Sequence, residues 1–155
     1  MRGLLAAIAL PLSLAACSPS IEGVDEAALA DGVGRTIGDP GTCVILVDKS
    51  AEVIWRYGTH MTCARSLPAC EGGGATTVHA LANAAAQGGE TAMSCDAAPG
   101  GSRTVAWASG PVAAGKGAKH GPLFYAAVME GEPNRTLPGR EIRTRLEGVF
   151  AEAGL

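Results

Sequence analysis

The chain has 155 residues, a formal net charge of −3 and 47% hydrophobic residues, with 22 glycines and only two each of Trp, Tyr and Phe. That length suits one domain with a single sizeable core. An acidic, aromatic-poor composition excludes the basic face that nucleic-acid binding requires, and no internal repeat is visible.

In chain order, Arg2 supplies a positive start, Leu4 to Leu14 an apolar core, and Ala15 and Ala16 two small residues before Cys17. This layout is that of a removable secretory signal. The apolar stretch is shorter than the roughly 20 residues of a spanning helix, and no later stretch reaches that length. Leu14-Ala15-Ala16-Cys17 resembles the lipobox of bacterial lipoproteins. The resemblance covers only the signal. It implies a diacylglyceryl group on the Cys17 thiol, removal of residues 1–16, acylation of the new amino group, and a lipidated Cys17 with a short tether over 17–21. At ~0.8 kcal/mol per buried CH₂, two or three chains hold a protein stably on a membrane. Ser18 stands where the family's inner-membrane retention signal places Asp. The resemblance thereby implies the outer membrane, facing the periplasm. Losing residues 1–16 removes one charged side chain, Arg2, and takes the net charge from −3 to −4.

Residues 22–155 read as a single globular domain. Val24, Ala28 and Leu29 share one side of a helix expected over 22–31, with Gly32 and Gly34 ending it. Asp39-Pro40-Gly41 is a turn. Cys43 to Val47 is an unbroken β-branched run, Asp48 to Ala51 a turn, and Val53, Trp55 and Tyr57 alternate in a second strand, so the two runs form a hairpin. Val44-Ile45-Leu46-Val47-Asp48 followed by Val53-Ile54-Trp55-Arg56-Tyr57 resembles the opening hairpin of the penicillin-binding and β-lactamase fold, and a closing helix fits that fold too. The family's acyl-enzyme activity has no position to occupy here, because S-x-x-K and G-x-S-x-G are both absent.

Residues 58–75 read as irregular, with Gly72-Gly73-Gly74 unsuited to regular structure. Four cysteines follow the lipobox: Cys43, Cys63, Cys70 and Cys95. An even number in an oxidising compartment indicates two disulfides. Pro68 and the short spacing favour Cys63–Cys70 with Cys43–Cys95, whose loops correspond to about 2.5 and about 4 kcal/mol of chain entropy. Cys43–Cys63 with Cys70–Cys95 fits nearly as well. His60, Cys63, Cys70 and His79 lack the paired spacing of structural zinc, and disulfides compete for the same thiols, so no metal is expected. Nor does any spacing place His60, His79 or His120 beside a reduced nucleophilic thiol.

Thr76 or Thr77 caps a helix expected over Val78–Gln87, ended by Gly88. Pro99-Gly100-Gly101 leads into a strand over Arg103–Ser109. Gly110 to Lys116 matches the first seven places of a phosphate-binding loop, but Gly117 stands where Ser or Thr must meet Mg²⁺, and Gly121 and Pro122 preclude the following helix. Nucleotide binding is therefore not expected. The loop is the most positive one in the chain, through Lys116, Lys119 and His120. Leu123–Met129 reads as another strand, after which Glu130 and Glu132 read as solvated turn carboxylates, as does Asp48 in its turn. Trp55 and Trp107 read as core. Asn134-Arg135-Thr136 is a glycosylation sequon by pattern alone. From Arg140 to Ala153, Ile142, Leu146, Val149 and Phe150 make the apolar stripe of a final helix, with Glu141 and Arg145 paired on its solvated side.

The expected architecture is an α+β domain: a mainly antiparallel sheet of about four to five strands with helices packed on one face. The expected function is that of a membrane-anchored periplasmic lipoprotein whose domain is a non-enzymatic binding or structural module for an envelope protein or polymer, with no cofactor. The alternative is a small envelope hydrolase or transferase using a site of unfamiliar pattern.

Overall fold

The computed structural model describes residues 20–155. The lipobox and Cys17 lie outside the described residues. Helix α1 (Glu26–Ile37) leads into strands β1 (Thr42–Val47) and β2 (Val53–Tyr57). A one-turn helix α2 (His60–Cys63) and two short strands, β3 (Leu67–Pro68) and β4 (Ala75–Thr76), precede helix α3 (Val78–Ala86). Strands β5 (Thr91–Asp96), β6 (Thr104–Pro111) and β7 (Phe124–Gly131) and helix α4 (Gly139–Ala153) complete the fold. The main sheet is fully antiparallel in the order β2-β1-β7-β6-β5, and β3 pairs with β4 separately. The domain is α+β, with a five-stranded antiparallel sheet, as its sequence predicts.

The helices do not all lie on one face, which corrects that part of the expectation. On the first face Leu29, Val33 and Ile37 of α1 and Ile142, Leu146, Val149 and Phe150 of α4 pack on Val44, Leu46, Tyr125 and Ala127 of the sheet. On the second face Val78 and Ala82 of α3, with Cys63 and Leu67, pack on Cys43, Ile45, Trp107 and Val128. The reason is visible in β1 itself: all six of its residues are buried, so both its faces need cover. Trp107 is fully buried and donates its indole N–H to the Pro68 carbonyl oxygen at 2.8 Å, and Trp55 is also core.

Helix α1 starts and ends later than its composition suggests. Asp25 caps it, its side chain accepting from the Ala28 N–H at 2.9 Å, and Gly32 and Gly34 lie inside rather than ending it. Gly32 is where α1 meets α4: a Cβ there would stand 2.8 Å from Val149 Cγ1. Strand β5 was not legible in the small polar run Thr91-Ala92-Met93-Ser94-Cys95-Asp96. It forms as an edge strand by pairing over its whole length with Thr104–Ser109 of β6. The hairpin, the Thr77-capped α3 and the apolar stripe of α4 match their sequence signals. Among the described residues no helix is long and apolar enough to cross a membrane.

Candidate functional site

Side chains alternate along β7, so Glu130 shares the second face with Ala126 and Val128, at the strand's end. It stands opposite Val105 in the β6–β7 register, and Arg103 lies two residues before Val105. Arg65 arrives from a different part of the chain, two residues past α2. The Cys43–Cys63 disulfide fastens that helix to β1, which lies beside β7. The turn Asp39-Pro40-Gly41 closes the arrangement: the Glu130 N–H donates to the Gly41 carbonyl oxygen at 3.1 Å. A Cβ on Gly41 would run into the Glu130 carbonyl, so the close approach of the two backbones requires glycine there.

The Glu130 carboxylate is only 2% exposed and is bound by two guanidinium groups. Arg103 engages it as a fork, Nε donating to Oε1 and Nη2 to Oε2, the latter at 2.8 Å. Arg65 Nη1 donates to Oε2 at 2.5 Å. The Arg103 hydrogen bonds hold the carboxyl far down, at about 2, with Arg65 adding to the effect and burial opposing it. Arg103 is raised in turn by Glu130. Beside this cluster Arg135 Nη2 donates to Asp39 Oδ2 at 3.0 Å.

Together Asp39, Arg65, Arg103, Glu130, Glu132 and Arg135 line an open cavity of about 370 Å³ at one end of the sheet. The two arginines are about half exposed. A guanidinium carries five N–H donors, so Arg65 and Arg103 keep most of theirs after binding Glu130. Asp39 and Glu132 offer acceptors on the same rim. The lining contains no Ser, Thr, Cys, Lys or His side chain. The arrangement can recognise a polar ligand by charge-assisted hydrogen bonds.

The reading of Glu130 as a solvated turn residue is corrected: it is a strand residue with a buried, doubly paired carboxylate. The sequence signal is the parity it shares with Ala126 and Val128, since the strand runs past Met129 to Gly131. Asp48 does sit in its turn, accepting from the Ser50 and Glu52 N–H groups, and its carboxyl is lowered by the Ser50 side-chain hydrogen bond first. The favoured disulfides are also corrected. The pairs are Cys43–Cys63 and Cys70–Cys95, with Cα separations of 5.2 and 5.4 Å, in place of Cys63–Cys70 and Cys43–Cys95. Both bonds fasten the 60–70 segment down on the sheet's second face, one to β1 and one to β5, whereas the favoured pairing would have closed that segment on itself. The histidines are scattered: His60 opens α2 beside Arg56, His79 is exposed on α3, and His120 Nδ1 lies 2.9 Å from the Gly121 carbonyl oxygen. Among the described residues no group of three metal-ligating side chains converges.

No protein family, no curated protein and no solved structure matches this chain.

Proposed function

We propose that this chain is the precursor of a bacterial lipoprotein, cut before Cys17 and anchored by lipid to the periplasmic side of the outer membrane. On this reading its domain is a non-enzymatic module that binds an envelope protein or polymer through the cavity around Glu130. The support for export is the lipobox together with two disulfides, which suit an oxidising compartment. The observation that carries the binding reading is the pair of half-exposed guanidinium groups held in place by one buried carboxylate. Glu130 acts as the buried support that fixes both arginines, and their unspent donors meet a carboxylate, phosphate or hydroxyl of the partner. A carboxyl held at about 2 stays ionised at neutral pH, so it has no proton to give there and is a weak base.

Two experiments test the reading. Labelling with a palmitate analogue should mark the wild-type protein, and Cys17→Ala should leave it unlabelled and soluble in the periplasm; a Cys17→Ala protein that still sediments with membranes refutes the anchor. In cells, a photo-cross-linker at Glu132 should capture a defined partner, and Arg65→Ala with Arg103→Ala should abolish the capture. Capture that survives the double substitution refutes the cavity as the binding site.

A further inference from the structure

The domain has two distinct poles. One is the cavity pole, where β7 ends just past Glu130 and α1 ends close to Asp39. At the other end α1 begins, α4 finishes and the β6–β7 loop closes: the Asp25 N–H donates to the Ala153 carbonyl oxygen at 3.1 Å, and a Cβ added to Gly23 would stand 3.7 Å from the Lys119 side chain. The 12 residues of α1 set the poles about 18 Å apart along the helix.

The chain has three lysines, Lys49, Lys116 and Lys119. All three belong to this second pole. Lys49 lies in the β1–β2 turn, next to the Val47–Phe124 end of the β1–β7 pair, and the other two lie in the β6–β7 loop. All three are exposed, and among the described residues none forms an ion pair, whereas Arg35, Arg65, Arg103, Arg135, Arg143 and Arg145 all do. The same loop forms an open cleft of about 470 Å³ with Val112, Pro122, Leu123 and Phe124 among its walls. Flexible cationic side chains around an apolar cleft match the phosphate-and-glycerol zone of a bilayer.

Chain length supplies the occupant. Only three residue steps separate Cys17 from Ser20, which an extended chain spans in at most about 11 Å. With lipid on Cys17, this pole is the one held against the membrane. We propose that the pole carrying Lys49, Lys116 and Lys119 rests on the phospholipid headgroups of the anchoring membrane, so that the Glu130 cavity is displayed at the far side, open to the periplasm. The inference depends on the lipid-anchor reading above. Net charge does not drive the contact, since Glu22, Glu52 and Glu152 stand at the same pole; the tether imposes it, and the lysines reach the phosphates.

The test uses the lipidated full chain in vesicles of phosphatidylethanolamine and phosphatidylglycerol containing a gadolinium-chelating headgroup lipid. Amide signals of Gly115 to Ala118 should broaden strongly while those of Glu132 to Arg135 stay sharp. The triple variant K49E/K116E/K119E should remain vesicle-bound yet lose at least half of that broadening. Equal broadening at both poles, or stronger broadening at the cavity pole, overturns the orientation, and so does a triple variant identical to wild type. If the wild-type protein fails to co-sediment with the vesicles at all, the anchor reading has failed and the orientation falls with it. Co-sedimentation with the wrong pole broadened sinks the orientation alone.

Discussion

Glu130 shows how one side chain can organise a site without facing the solvent. Its carboxyl is lowered from an ordinary 4.5 to about 2, first by the Arg103 hydrogen bonds. Its contribution to stability is therefore complete above about pH 4.5 and disappears as pH falls through about 2. Solvent screening of the half-exposed arginines brings the expected contribution to about 1–3 kcal/mol. Acid unfolding of the wild type should show that loss between pH 4.5 and 2, and Glu130→Gln should be less stable at pH 7 with a flatter profile across the same window; an unchanged profile would remove Glu130 from this role. The two arginines differ in geometry. Arg103 makes a fork and Arg65 a single bond, so Arg103→Lys should cost about 1–2 kcal/mol in urea unfolding and Arg65→Lys less than about 1. The parity of β7 puts Glu130 on the second face, but its pairing was not legible in the chain, because Arg65, Arg103 and Glu130 are far apart in sequence and carry no spacing signature.

Among the elements, helices announce their apolar stripes more clearly than their ends. Ile142, Leu146, Val149 and Phe150 of α4 are all buried, as their spacing requires, and Phe150 meets Tyr125 edge-on with ring centroids 5.3 Å apart. The end of α1 could not be read the same way. Gly32 looks like a helix stop, yet it is the contact that lets α1 and α4 pack closely, and that depends on a partner over a hundred residues away. Two glycine-to-alanine substitutions should therefore act with opposite signs. Gly32→Ala places a methyl against stiff Val149 and should destabilise by about 1–2 kcal/mol despite its helix propensity. Gly148→Ala, in α4 with open space around it, should stabilise by about 0.5–1 kcal/mol. Thermal unfolding of the two variants checks both, and a stabilised Gly32→Ala would refute the close helix contact.

At the scale of the whole molecule, the disulfides hold the segment that delivers Arg65. Mass mapping of an unreduced digest should find Cys43 linked to Cys63 and Cys70 linked to Cys95. With sequence separations of 20 and 25, each bond constrains the unfolded chain by about 3–3.5 kcal/mol in the chain-entropy account. Cys43→Ser with Cys63→Ser should weaken the fold by that order and also free Arg65 from Glu130, which the acid-unfolding profile would report. The corresponding pair at Cys70 and Cys95 should lower stability to a similar degree while leaving the Glu130 profile in place. Equal effects of the two pairs on that profile would contradict a specific link between the first bond and the site.

Local chemistry was enough to read the hairpin, the capped α3, the stripe of α4 and the α+β class, because each depends on residues close together in the chain. Which cysteines join, how many faces of the sheet are covered and what Glu130 touches all depend on contacts between distant segments. Four cysteines allow three pairings, and local spacing favoured the wrong one because it weighs loop length and cannot see that Cys43 and Cys63 meet across β1 and α2. A carboxylate at a strand end looks solvated until the fold brings two guanidinium groups over it. Tertiary structure decides such features because burial and electrostatics act through space, and chain order specifies space only over a few residues.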